Sequence, residues 1–310
     1  MKVQIVEVGP RDGLQNEQKV LAAAEKIRLI EMLAEAGLQR VEASSFVNPK
    51  WIPQLADAGE VCRSLPHRSR VRYSALVPNL KGLERARECG LTEVALFMSA
   101  SQTHNQKNIN KSIEETFPVL RETAREALAL GMRVRGYVST VFGCPYEGEV
   151  SLDNSRKVTN ELVSMGAYEV SIGDTIGVAT PLQVHQVFSM LVKDVTTERL
   201  AGHFHDTRGT GLANVAAALD EGIRTFDSSI GGLGGCPYAP GASGNIASED
   251  LVYMLHGMGC ETGVSLEKLV AAGAYVQQLL GRSLPSKVLQ AALAQSHEKQ
   301  CQSQAEGGTA

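Results

Sequence analysis

The chain has no apolar run long enough to span a bilayer, so it does not read as a helical membrane protein. It has no run of Lys and Arg of the kind that tracks phosphates. A net charge of −4 over 310 residues gives no argument for a nucleic-acid partner either. Its six cysteines follow no disulfide-framework spacing, which suits a reducing cytoplasm. A strand-like run, Val3 to Val8, begins almost at once and leaves no room for a signal or transit peptide. G-x-G-x-x-G is missing after that first strand, which counts against the runner-up architecture, a doubly wound open sheet. With 43% hydrophobic and 21% charged residues, the chain is an ordinary globular one able to bury a large core.

Short β-branched segments alternate with amphipathic stretches almost from end to end. The strand candidates begin near Val3, Arg40, Arg72, Glu93, Arg133, Tyr168, Leu200 and Arg224. Between them lie helical patterns such as Ala22–Ala36, Leu80–Cys89, Ser112–Leu130, Leu152–Met165, Pro181–Val195, Gly211–Glu221 and Ser248–Gly257. Five times a helix ends in Gly just before the next strand, as in E-A-G-L-Q-R-V-E and D-E-G-I-R-T-F. Eight such units in about 260 residues predict a (β/α)8 TIM barrel. Ser265–Gln295 reads as a C-terminal helical extension, which makes 1–295 a single domain and 296–310 a frayed tail.

In a barrel of this kind, chemistry belongs at strand C-terminal ends. His203 and His205 stand one residue apart in A-G-H-F-H-D-T-R-G-T, so in an extended strand both imidazoles project to one side, half of a divalent-metal site. Arg11, Asp12 and Gln15 follow strand 1, Glu42 lies inside strand 2, and Asp174-Thr175 end strand 6. Cys236 and Asn245 occupy the glycine-rich stretch after strand 8. Nothing comparable is expected at the strand N-termini. Each residue has a structural alternative: a solvated Arg11–Asp12 pair, Asp174 or Asn245 capping a helix, Cys236 as a small buried hydrophobe. Their joint fall on one face is what argues for a site.

The stretches V-E-V-G-P-R-D-G-L-Q-N-E, V-E-A-S-S-F-V-N-P-K-W-I-P-Q, G-C-P-Y-E-G, S-I-G-D-T-I-G-V, H-F-H-D-T and G-L-G-G-C-P-Y-A-P-G-A-S-G-N resemble the hydroxymethylglutaryl-CoA lyase family, over nearly the whole chain. The resemblance implies Asp12, His203, His205 and Asn245 as ligands of Mg2+ or Mn2+, with Arg11, Glu42 and Cys236 catalytic. It implies retro-Claisen cleavage of an acyl-CoA substrate, 3-hydroxy-3-methylglutaryl-CoA, to acetyl-CoA and acetoacetate, the chemistry of leucine degradation. Asp12 or His203 takes the hydroxyl proton, and Arg11 faces the thioester oxygen, with Glu42 orienting it. Cys236 protonates the enolate from a glycine loop able to close. The resemblance also suggests a homodimer.

One departure stands out. The family pattern H-x-H-D-T-Y-G-Q is here H-F-H-D-T-R-G-T, with Arg208 in place of an aromatic residue and Thr210 in place of an amide. Arg208 either clamps a substrate carboxylate, with Gln15, Asp174 and Thr175 as further substrate contacts, or serves structure. The first reading opens citramalyl-CoA or a longer 3-alkyl-3-hydroxyglutaryl-CoA as alternative substrates. A condensing synthase is a further alternative, disfavoured because the chain ends soon after the barrel. For CoA, the candidates are Lys107, Asn108 and Lys111, in the loop expected after strand 4, where an ordinary solvated loop is the competing reading.

Overall fold

The computed structural model describes residues 1–66, 68–236 and 239–295, with the side chains of 235–236 and 239–243 outside that description. Eight parallel strands close into a barrel in chain order. They are β1 (Gln4–Glu7), β2 (Arg40–Ser45), β3 (Arg72–Leu76), β4 (Glu93–Ser99), β5 (Arg133–Ser139), β6 (Glu169–Asp174), β7 (Leu200–Phe204) and β8 (Thr225–Ser228). The expected TIM barrel is the fold, and each strand begins within one residue of its expected start. Closure runs through four successive pairs, from Gln4↔Thr225 to Glu7↔Ser228.

The surrounding helices are α1 (Ala23–Glu35), α2 (Ala58–Ser64), α3 (Leu80–Glu88), α4 (Gln102–Ile109), α5 (Ile113–Ala129), α6 (Leu152–Ser164), α7 (Pro181–Leu191), α8 (Gly211–Asp220), α9 (Ser248–Gly257) and α10 (Leu266–Leu280). The glycines closing α1, α3, α5, α6 and α8 adopt φ between 73° and 104°, the left-handed turn that returns each helix to its next strand. No helix among the described residues is long and apolar enough to cross a membrane. The C-terminal extension is broken at Gly281, in left-handed conformation, before a second helical stretch at 287–295. The tail 296–310 lies outside the described residues.

Two expectations need correction. Lys107 and Asn108 lie on α4, not in a loop. The segment Q-T-H-N-Q-K-N-I has no apolar stripe to betray a helix. Caps and one buried amide make it instead: Ser101 Oγ accepts from the His104 N–H, and Asn105 binds Ser99 N, Lys111 O and Thr116 Oγ1. The second concerns the strand N-termini, which are not bare of charge. Arg40, Glu93 and Glu169, the first residues of β2, β4 and β6, turn into the barrel and are buried with Arg135 and Asp227. Such charges survive burial only when paired, and here each cation faces a carboxylate.

Two further buried carboxylates fasten this region: Glu7 ties β1 to the segment after β8, and Glu249 ties α9 to the turn at Gly231. Glu7 accepts from the N–H groups of Gly9 and Ile230, both at 2.8 Å, and from Ser248 Oγ at 2.6 Å. Glu249 accepts from Gly231 N at 2.8 Å. Burial outweighs these hydrogen bonds and pushes Glu7 up to about 7 and Glu249 up to about 8. Raised carboxyl groups bind more protons folded than unfolded, so this stability is full below the unfolded value near 4.5 and fades as pH rises to about 8. Glu249→Gln is therefore expected to flatten the decline of Tm between pH 5 and 8.5, by thermal melts at a series of pH values. Parallel curves for the two proteins would refute it.

Candidate metal centre and active site

After β1, residues Gly9–Gly13 form a single wide turn of π type, in which the N–H groups of Arg11, Asp12 and Gly13 all point at Val8 O (3.1, 2.7 and 3.3 Å). Pro10 sets its entry. The turn is pressed against the segment after β8: a Cβ on Gly13 would lie 2.7 Å from both Leu233 Cβ and Ser229 Oγ, so only glycine fits. This packing aims Arg11 and Asp12 across the mouth of the barrel. Arg11 Nε binds Glu42 Oε2 at 2.6 Å and its Nη1 binds Asp12 Oδ1 at 2.5 Å, while the guanidinium lies 5.5 Å from the centre of the Tyr137 ring. Glu42 is fully buried on β2, and burial raises its carboxyl even against Arg11. Its Oε1 has no hydrogen-bond partner among the described residues.

On the opposite wall His203 and His205 project together, as the period-two strand requires, while Phe204 turns outward to Phe142 and Phe188. Their Nε2 atoms are 3.3 Å apart, and Asp12 Oδ2 is 3.8 Å from that of His203. One ligand atom from each of the three residues falls within 4.8 Å of the others. Asn245 pairs with His205 through the backbone and sets its Nδ2 2.8 Å from Asp12 Oδ2; to offer its oxygen to a cation instead, the amide must turn over. Gln15 Nε2 donates to Asp12 Oδ1 at 2.8 Å.

The electrostatics fit a divalent cation. Burial would raise the Asp12 carboxyl, but Arg11 and the two imidazoles outweigh it and leave it ionised, at about 2. Burial and the neighbouring His203 hold His205 down at about 3, so its imidazole stays neutral and free to donate a lone pair. An ionised carboxylate beside two converging imidazoles is a nitrogen–oxygen donor set of the kind that Mg2+, Mn2+ or Zn2+ accepts.

Residues 2–276 match the family model described as HMGL-like. The chain belongs to the HMGL-like family. It is 53% identical over 290 residues to the mitochondrial hydroxymethylglutaryl-CoA lyase of Bos taurus, covering 94% of this chain and 89% of that one. It is 51% identical over 299 residues to the 3-hydroxy-3-isohexenylglutaryl-CoA/hydroxy-methylglutaryl-CoA lyase of Pseudomonas aeruginosa, covering 95% and 98%. Among solved structures it resembles the HMG-CoA lyase of Bacillus subtilis, with a TM-score of 0.93, 50% identity, and 94% and 97% coverage.

Not every candidate joins this HMGL-like centre. Asp174 spends its two oxygens on the N–H groups of Val178 and Ala179 (2.9 and 3.1 Å), and burial raises it to about 6 despite them. Thr175 Oγ1 accepts from the N–H of Thr140, which sits in left-handed conformation at φ 60°. Arg208 is exposed and donates from Nη1 to the carbonyls of Ile176 and Gly177 (2.8 and 3.0 Å), and Thr210 Oγ1 donates to Ala179 O. The two departures from the family pattern thus fasten the β6–α7 loop. Lys107 lies 4.0 Å from the centre of the Tyr146 ring, and Asn108 and Lys111 are exposed. The backbone of Cys236 runs in a short antiparallel hairpin, Gly235–Cys236 with Ala239–Ser243; its side chain lies outside the described residues. Sequence reasoning overlooked Tyr137, Arg135 and Asp227. A charge inside an apolar strand, the signal that singled out Glu42, was equally present in T-F-D-S-S-I.

Proposed function

We propose that the chain is a divalent-metal-dependent lyase, using Mg2+ or Mn2+, that cleaves 3-hydroxy-3-methylglutaryl-CoA to acetyl-CoA and acetoacetate. The observation that carries this reading is the convergence of Asp12, His203 and His205 beside the Arg11–Glu42 pair. Asp12, His203, His205 and, with its amide turned, Asn245 would hold the cation. When bound, it supplies Lewis acidity that lowers the pKa of the substrate hydroxyl and polarises the forming carbonyl.

The residues then divide the work. Asp12 or His203, whose Oδ2 and Nε2 lie 3.8 Å apart, takes the hydroxyl proton. Arg11 commits Nε to Glu42 and Nη1 to Asp12, which leaves Nη2 to meet the thioester oxygen as it gains charge. Glu42 keeps the guanidinium in plane and offers its unpartnered oxygen to an ordered water. Cys236 is the proton donor to the enolate carbon, on the strength of its motif. Gln15 keeps Asp12 in place. Asp174 has both oxygens on backbone N–H groups and contributes through the shape of the β6–α7 loop, while, among the described residues, Thr175 and Arg208 keep donors free for the substrate. Lys107, Asn108 and Lys111 remain the residues assigned to CoA phosphates. A single catalytic domain over 1–295, a homodimer and a cytoplasmic location belong to the same reading; among the described residues Cys62, Cys89, Cys144 and Cys260 are free thiols, in accord with the last.

The test is acetyl-CoA release by purified protein with Mg2+ or Mn2+, from 3-hydroxy-3-methylglutaryl-CoA, citramalyl-CoA and a longer 3-alkyl homologue in parallel. The first substrate is expected to be cleaved, with Cys236→Ala lowering turnover by about 10²–10⁴-fold while metal content stays near that of the parent. Silence on every substrate, with metal bound, would refute the lyase reading; loss of metal from Cys236→Ala would refute the donor role.

A further inference from the structure

Beneath the proposed metal ligands the barrel axis holds a column of alternating charge that the lyase reading leaves unused. At its top stands Asp227 on β8, 1% exposed. Its Oδ1 accepts from Arg135 Nη2 at 2.7 Å, and its Oδ2 from Ser171 Oγ at 2.7 Å and Arg135 Nη1 at 3.3 Å. That same Oδ2 lies 3.1 Å from His203 Nδ1. Arg135 continues downward, with Nε on Glu169 Oε1 at 2.7 Å and Nη1 on the Tyr137 hydroxyl. Glu169 in turn takes both terminal nitrogens of Arg40 (3.0 and 2.7 Å), and Arg40 Nη1 also reaches Gln4 Oε1. From the top, the charges run minus, plus, minus, plus.

A carboxylate between an arginine and a serine hydroxyl can only accept, so His203 must donate from Nδ1, and the neutral ring that a cation requires then carries its lone pair on Nε2. That is the nitrogen facing His205 and Asp12. His205 has no such support: its Nδ1 is buried without a hydrogen-bond partner among the described residues. The two imidazoles are therefore unequal, one anchored and one not.

We propose that Asp227 is the positioning residue of the metal centre, fixing the tautomer and ring orientation of His203, and that the Arg135–Glu169–Arg40 column holds Asp227 in register for this task. The proposal rests on the metal-dependent reading. Carboxylates behind ligand histidines commonly change metal affinity by about 10–100-fold. A column that merely fastened strands would leave both tautomer and affinity indifferent to the identity of residue 227.

The experiment compares the wild type with Asp227→Asn, with the charge-balanced Asp227→Asn/Arg135→Gln, and with Ser171→Ala, which leaves every charge in place. Mn2+ alone is titrated and free Mn2+ read by electron paramagnetic resonance; histidine tautomers are read by 15N NMR on metal-free protein. Both Asp227 variants are expected to raise the Kd for Mn2+ by about 10–100-fold and to give His203 mixed tautomers. Ser171→Ala is expected to raise Kd by about two- to fivefold, and decides the matter should the Asp227 variants fail to fold. Overturning results are a folded double variant with the wild-type tautomer and Kd, or, where only Ser171→Ala folds, a Kd equal to that of the parent. Should the wild type itself take up no Mn2+, the metal reading falls, and the tautomer measurement still decides what Asp227 does to His203.

Discussion

Replacing His205 with alanine is expected to strip the protein of bound metal and to cut turnover by about 10³–10⁴-fold. The ring is buried and neutral, and its Nε2 lies 3.3 Å from that of His203. Without it, Asp12 and His203 keep only the Asn245 amide beside them, a donor set too weak to retain a divalent cation against water. Lewis-acid stabilisation is worth several kcal/mol, and each 1.36 kcal/mol is tenfold in rate. The fold should survive, because the lost Nδ1 has no hydrogen-bond partner among the described residues and its removal orphans none of them. Elemental analysis with kcat from acetyl-CoA release checks both parts at once. A metal-free variant that still turns over would end the ligand assignment.

Arg11→Met should act on the other half of the site. Here we expect kcat to fall by about 10²–10³-fold, the range for one removed oxyanion donor, with the Mn2+ affinity changed far less. Methionine keeps the volume of the stem but leaves Glu42 alone in its pocket, where it takes up a proton. Arg11→Lys should rescue poorly: an ammonium cannot reach Glu42 and Asp12 while also presenting a third donor in one plane. The separation of kcat from metal affinity is the deciding readout. A variant that loses Mn2+ tenfold, yet turns over normally once saturated, would make Arg11 a prop for Asp12 and nothing more.

How much of this was legible beforehand depends on the range over which each signal acts. Periodicity and C-terminal glycines are local, and they suffice to number the strands and to put Asp12, Glu42, His203 and Asn245 on one face. Helix α4 was hidden because a buried Asn105, not an apolar stripe, holds it together. The axial column was hidden for a different reason. Arg135 and Asp227 are 92 residues apart and Arg40 and Glu169 are 129, and a charge at a strand start looks solvated until its partner's direction is known. Arg208 stood out as an oddity, yet its contacts are with two backbone carbonyls that carry no residue code.

The barrel closes where its first strand meets its last, and the candidate centre straddles that seam. Asp12 stands just past β1, while His203, His205 and Asn245 come from the last two units, with 233 residues between the hydrogen-bonded Asp12 and Asn245. A chain emerging from the ribosome therefore owns no fragment of a usable ion site until its seventh and eighth units are made. Once the ring is shut, any ion resting there clasps the two ends of the chain together. Opening the seam would have to expel it, so the protein should unfold more slowly in the ion's presence, with an equilibrium gain of RT ln(1 + [ion]/Kd).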